Sequence, residues 1–103
     1  MDRITQLKEF LKGSPGDSFL KHALALEYIK IGDDNTARSI FEEILTQDPS
    51  YIGSYYHLAK LLERTGDTNL AIEWYEKGME AAKQAGEKHA YGELRSAYEE
   101  LTF

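Results

Sequence analysis

The feature that most restricts the fold of this chain is a repeat of 34 residues. Its two prolines, Pro15 and Pro49, stand that far apart. The same shift superposes Leu24 on Leu58, Ala25 on Ala59, Gly32 on Gly66, Asp33 on Asp67, Asn35 on Asn69, Ala37 on Ala71 and Glu42 on Glu76. It also sets Glu9 on Glu43 and Leu11 on Leu45, so the register begins before the first complete unit. A period of about 20–50 residues marks stacked supersecondary units, each too small to bury its apolar face alone.

The units are helical. Leu20, Leu24 and Tyr28 recur at four-residue steps, as do Tyr55 and Leu58-Ala59-Leu62, with Ile40-Phe41-Ile44-Leu45 on the following segment. These are stripes of one helix face, and the alternation of a strand is absent. Gly32 and Gly66 fall where a helix must stop, because glycine enters the left-handed conformation without a Cβ clash; the Asp or Asn after each can accept N–H groups of the next helix. Each unit therefore reads helix, tight turn, helix. Ala25, Ala37, Ala59 and Ala71 mark close helix approach, with Phe41 and Tyr75 supplying bulk across the seam.

The pattern predicts helices near 2–12, 17–31, 34–46, 51–65, 68–85 and 87–102. It predicts one all-α domain over 1–103: a half-repeat helix in 2–16, repeats at 18–51 and 52–85, and a capping helix at 87–102. A chain of 103 residues buries roughly 60–70% of its unfolded surface, enough for a core without staples. There are no cysteines, which removes disulfides, thiolate zinc sites and cysteine nucleophiles and fits a reducing compartment. The formal charge of −6 opposes phosphate backbones and anionic lipid surfaces, whose binding needs neutralising Lys and Arg. The first residues carry no basic segment followed by an apolar run, and no apolar run is long enough to span a bilayer. The expectation is a cytoplasmic protein that binds neither nucleic acid nor membrane.

These residues resemble the tetratricopeptide repeat (TPR) family. In 18–51 its pattern meets Leu24-Ala25, Tyr28, Gly32-Asp33, Ala37, Phe41 and the closing Pro49; in 52–85 it meets Tyr55, Leu58-Ala59, Leu62, Gly66-Asp67, Ala71 and Tyr75. The resemblance implies a right-handed α-solenoid of antiparallel helix pairs that binds protein or peptide ligands. The chain departs from the pattern where Lys21 takes the place of Tyr55, where Ile44 and Gly78 replace a small Ala, and where Lys83 replaces Pro49. The last change predicts a longer helix running on to Gly86.

Catalytic and metal chemistry find little footing. His22, His57 and His89 lack the spacing of a helical metal pair. Adjacent carboxylates at Glu42-Glu43 and Glu99-Glu100 diverge around a helix and read as solvated faces. Ser14, Ser18, Ser50 and Ser54 lie near helix starts and read as caps, and no Gly-x-Ser-x-Gly elbow surrounds them. Gly13-Ser14-Pro15-Gly16 lacks the ending of a phosphate loop and reads as a turn. No enzyme activity, cofactor or metal is expected. Trp74 reads as helix packing before exposed contact surface, and Tyr91, Tyr98 and Phe103 either close the core or join two copies.

The candidate site is the concave face that the resemblance implies, lined by the first helix of each repeat. With Leu24, Tyr28, Leu58 and Leu62 inward, the groove positions are Phe19, His22, Leu26, Ile29 and Lys30, then Tyr56, Lys60, Glu63 and Arg64. This face is expected to be apolar and locally cationic. The bland alternative packs Phe19, Leu26 and Ile29 beneath the N-terminal helix. Leu26 and His57 occupy positions of the family's carboxylate clamp, so chaperone tails are not favoured. The leading expectation is a binding module holding a peptide or helical segment in this groove, as a monomer or weak homodimer. The alternative is a self-association module without a groove ligand.

Overall fold

The computed structural model describes residues 2–103, and among them the regular structure is six α-helices with no strand. Two compact units divide the chain, one ending at Asp48 and one running from Pro49 to Phe103. The first holds α1 (Arg3–Gly13), α2 (Ser18–Lys30) and α3 (Asp34–Gln47); the second holds α4 (Gly53–Arg64), α5 (Thr68–Ala85) and α6 (Lys88–Thr102). Every helix lies within two residues of its predicted ends.

Local chemistry sets the boundaries. α2, α4 and α5 end in the same motif, with Gly32, Gly66 and Gly86 at φ of 82°, 91° and 72°. Each glycine N–H donates three residues back, and the next N–H donates five residues back: Asp33 to Tyr28, Asp67 to Leu62 and Glu87 to Ala82, at 2.8–2.9 Å. These are Schellman caps, in which the left-handed glycine satisfies the last carbonyls of the helix. The N-termini of the first unit are capped by aspartates: Asp2 accepts from the Thr5 N–H, Asp17 from Leu20 and Asp33 from Thr36. At α2, Asp17 takes the capping place that the sequence pattern assigns to Ser14 and Ser18. Ser14 ends α1, Ser18 donates to Asp48 at 3.2 Å, and Ser54 is buried inside α4. The N-cap of α5 is Asp67, whose side chain makes no cap hydrogen bond.

In the first unit α2 packs on both α1 and α3, burying Leu7, Leu24, Ala25, Ala37, Phe41, Ile44 and Leu45. Burying a Leu, Ile or Phe side chain contributes about 1.5–3 kcal/mol, and the fully covered Ala25 and Ala37 let the backbones approach. Lys21 joins this core. Its stem is buried, and its ammonium reaches Gln47 Oε1 at 2.9 Å and Glu43 Oε1 at 3.2 Å on α3. The apolar stem lies inside while its charged head meets polar partners near the surface.

In the second unit α5 packs on α4 and α6, and α6 also touches α4. Tyr55, Leu58, Ala59, Leu61, Leu62, Ala71, Tyr75, Ala82, Leu94 and Ala97 form its core. Gly78 is the point of closest approach: a Cβ there would lie 2.7 Å from Tyr55 Cβ and 3.1 Å from Leu94 Cδ1. The Tyr55 hydroxyl donates to the Pro49 carbonyl at 2.6 Å, so the aromatic body packs and its polar tip is satisfied.

Candidate partner-binding site

His22 and Tyr56 occupy the same place in the two repeats and pack in the same way. The His22 ring meets Phe41 edge-on, with centroids 5.6 Å apart and planes at 66°; Tyr56 meets Tyr75 at 6.5 Å and 67°. Both are half-buried, so each joins helix packing while leaving part of its ring open. In the first unit Phe19 is 67% exposed, which removes the alternative that α1 covers it, while Leu26 and Ile29 are half-buried. Lys30 is paired with Glu27 at 2.9 Å.

In the second unit Tyr56 and Lys60 line an open cleft of about 620 Å³, and α6 forms the opposite wall with Lys88, His89, Gly92, Glu93, Ser96, Ala97 and Glu100. A smaller recess, which shares Tyr56 and Glu93 with it, also takes in Ile52, His57 and Leu94. Sequence reasoning missed the α6 wall, because α6 has no mate in the 34-residue register. The expectation of a cationic face is corrected here: Glu93 and Glu100 face the same space as Lys60 and Lys88. Lys60 lies 3.6 Å from Glu63 and 5.8 Å above the Tyr56 ring, a geometry that holds the cation against both. Arg64 is exposed in the last turn of α4.

The Tyr75 hydroxyl donates a short hydrogen bond to Glu63 Oε2; burial, then this carboxylate, raises the phenol far above its usual range. Glu63 is therefore engaged by Tyr75 as well as Lys60. Burial holds the His57 imidazole below its ordinary value, partly offset by Glu93. His89, at the rim, lies 2.9 Å from Glu93. On the outer side of α5, Trp74 is half-buried against Tyr55 at 6.0 Å with the Lys77 ammonium 4.5 Å over its ring, so it serves helix packing. Of the terminal aromatics, Tyr98 donates to Glu76 at 3.1 Å, and Phe103 is exposed. Among the described residues no helix is long and apolar enough to cross a membrane.

Comparison with known proteins agrees with this architecture. The tetratricopeptide repeat family matches residues 20–51 and 52–84. The crystal structure of a tetratricopeptide repeat domain protein from Salinibacter ruber is 40% identical, with a TM-score of 0.80 over 84% of this chain and 96% of that one. A solution structure from Bordetella parapertussis shares the fold at 24% identity, with a TM-score of 0.84 over 99% of this chain and 89% of that one. Among curated proteins, human aspartyl/asparaginyl beta-hydroxylase is 27% identical over 78 residues, 76% of this chain but 10% of its own length. The mouse protein matches at 25% over the same share. So small a part of an enzyme does not carry its reaction across. The solved relatives place the fold among helical solenoids, whose repeats mediate protein–protein interaction. With both of its 34-residue units matched and a 40% identical relative covered almost end to end, this chain belongs to the tetratricopeptide repeat family.

Proposed function

We propose that the protein is a non-catalytic binding module of the cytoplasm that holds a segment of another protein in the cleft between α4 and α6. The observation that carries this reading is the cleft itself, with the half-open Tyr56 ring and the Lys60 ammonium on one wall. An aromatic ring offers contact area with little rotamer entropy to lose, and the cation adds orientation. Arg64 at the end of α4 provides further contact surface on this unit, while in the first unit, taken by itself, Phe19, His22, Leu26 and Ile29 of α2 offer a contact surface of their own. A short groove supports affinity in the micromolar range, about −8 kcal/mol. Tyr56→Ala should weaken a captured partner by about 1–2 kcal/mol, read by titration calorimetry; because Tyr56 also packs on Tyr75, melting curves must show the variant folded. Unchanged affinity in a folded Tyr56→Ala protein moves the site off the cleft.

A second reading, self-association, draws on the exposed Phe10, Phe19 and Ile31 of the first unit. Light scattering over a range of concentrations decides it: a constant monomer mass removes this reading.

A further inference from the structure

Along α6, Lys88, Gly92, Ser96 and Glu100 follow one another at four-residue steps, and all four line the cleft. The row runs basic, bare, small, acidic. Two of its features are unexplained by the fold. Gly92 sits exposed inside the helix, with no atom beyond its own stretch of helix backbone within 4 Å of the place a Cβ would take, although an interior glycine weakens a helix relative to alanine. The charges also oppose the helix dipole, which favours anions in the first turn and cations in the last; Lys88 opens α6 and Glu100 lies in its final turn. Neither side chain makes a hydrogen bond or ion pair among the described residues, although the Glu100 carboxylate acts weakly on Tyr75, whereas Lys60 and His89 in the same cleft are paired with Glu63 and Glu93.

We propose that this row is a recognition track for an extended segment of another protein that carries one carboxylate and one cation about five or six residues apart. The carboxylate meets Lys88, the cation meets Glu100, and the segment's backbone crosses Gly92 and Ser96. The spacing follows from the ends of the row: twelve helical residues rise about 18 Å, and an extended chain covers that at about 3.3 Å per residue. A side chain at 92 would fill the trough, and the Ser96 hydroxyl can bond a passing peptide group. The inference rests on the cleft being a peptide groove.

The test uses end-blocked peptides of about eight residues with an aromatic centre, carrying Asp and Lys five positions apart in either order. Analogues carry Asn and Gln, or Lys at both places. Binding is followed by backbone amide NMR. The Asp and Lys peptide should bind about three- to tenfold more tightly than the neutral analogue at low salt. Lys88→Glu should abolish that preference and transfer it to the doubly basic peptide. Gly92→Leu should leave the melting temperature equal or higher yet block the amide shifts of Ser96. Equal binding of charged and neutral peptides, with Tyr56 and Gly92 amides responding, refutes the charged track and leaves the groove reading standing. A panel that moves none of these amides refutes the groove reading as well.

Discussion

The two repeats solve one packing problem with opposite distributions of bulk. In the first, α2 presents Lys21 and α3 presents Ile44; in the second, the matching positions are Tyr55 on α4 and Gly78 on α5. Lys21 ends in a hydrogen-bonded ammonium held by Gln47 and Glu43, and Tyr55 ends in a hydroxyl held by the Pro49 carbonyl. A second exchange lies one helix face away. Where the first repeat has Ile29 and Phe41, the second has Glu63 and Tyr75 joined by a hydrogen bond. The repeat therefore keeps the paired helices and their turn, and leaves the size and chemistry of these positions free.

The comparison breaks most sharply at Gly78. Gly78→Ile, which installs the first repeat's residue, should cost about 3 kcal/mol or more, because even a Cβ at 2.7 Å from Tyr55 Cβ forces α4 and α5 apart. The double variant Tyr55→Lys with Gly78→Ile should recover part of that loss, since the bulk is then distributed as in the first repeat. Denaturant melts of the four proteins of this cycle give the coupling directly. Strict additivity would show that the two positions do not share one space.

Lys21 tests the other half. Lys21→Ala removes a buried stem and two hydrogen bonds, and should cost about 1–2 kcal/mol. Lys21→Met keeps most of the stem and should cost less. Glu43 is half-exposed, with 53% of its side chain accessible, so it rehydrates when the ammonium is lost and the penalty stays moderate. A Lys21→Ala protein as stable as the parent would mean that the stem contributes no packing.

The turns are where the repeats agree, and there the expectation is equality. Gly32 and Gly66 both have positive φ, and nothing lies within 4 Å of a Cβ added at either. Gly32→Ala and Gly66→Ala should therefore each cost about 1 kcal/mol from backbone strain alone. A difference between the two larger than about 0.5 kcal/mol, measured by thermal unfolding, would show that the turns are held by different contacts.

What was legible in the sequence follows the same division. The register, the helix ends and the small residues at close approaches are local or periodic signals, and Gly66, Ala59 and Tyr75 carried them plainly. Lys21 was readable only as a departure from pattern, because a lysine reads as surface and its partners Glu43 and Gln47 lie 22 and 26 residues away. Gly78 was likewise seen as a substitution without its cause, the Tyr55 side chain across the helix pair. The α4 side of the cleft was found through Tyr56 and Lys60. Its α6 side was not, since a helix outside the repeat has no superposed copy from which its inward face can be read.

His57 offers the smallest and most selective difference, for the first repeat has Ala23 at the matching position. Burial lowers the His57 pKa from its ordinary 6.5, and Glu93, itself paired with His89, opposes that shift. The unfolded chain therefore takes up a proton at this position at higher pH than the folded one. Stability rises with pH wherever the unfolded state binds more protons. The His57 contribution is thus fully present at neutral pH, declines as pH falls through about 6.5 toward the lower folded value, and is constant below it. Melting temperatures taken from pH 7.5 to 5.5, above the usual carboxylate range of about 4, should fall more steeply for the parent than for His57→Gln. His22 and His89 are common to both proteins, so the difference in slope isolates position 57. Parallel slopes would show that the folded protein accepts the proton at His57 as readily as the unfolded chain, and that the recess at Ile52, Tyr56 and Leu94 admits enough water to solvate the charge.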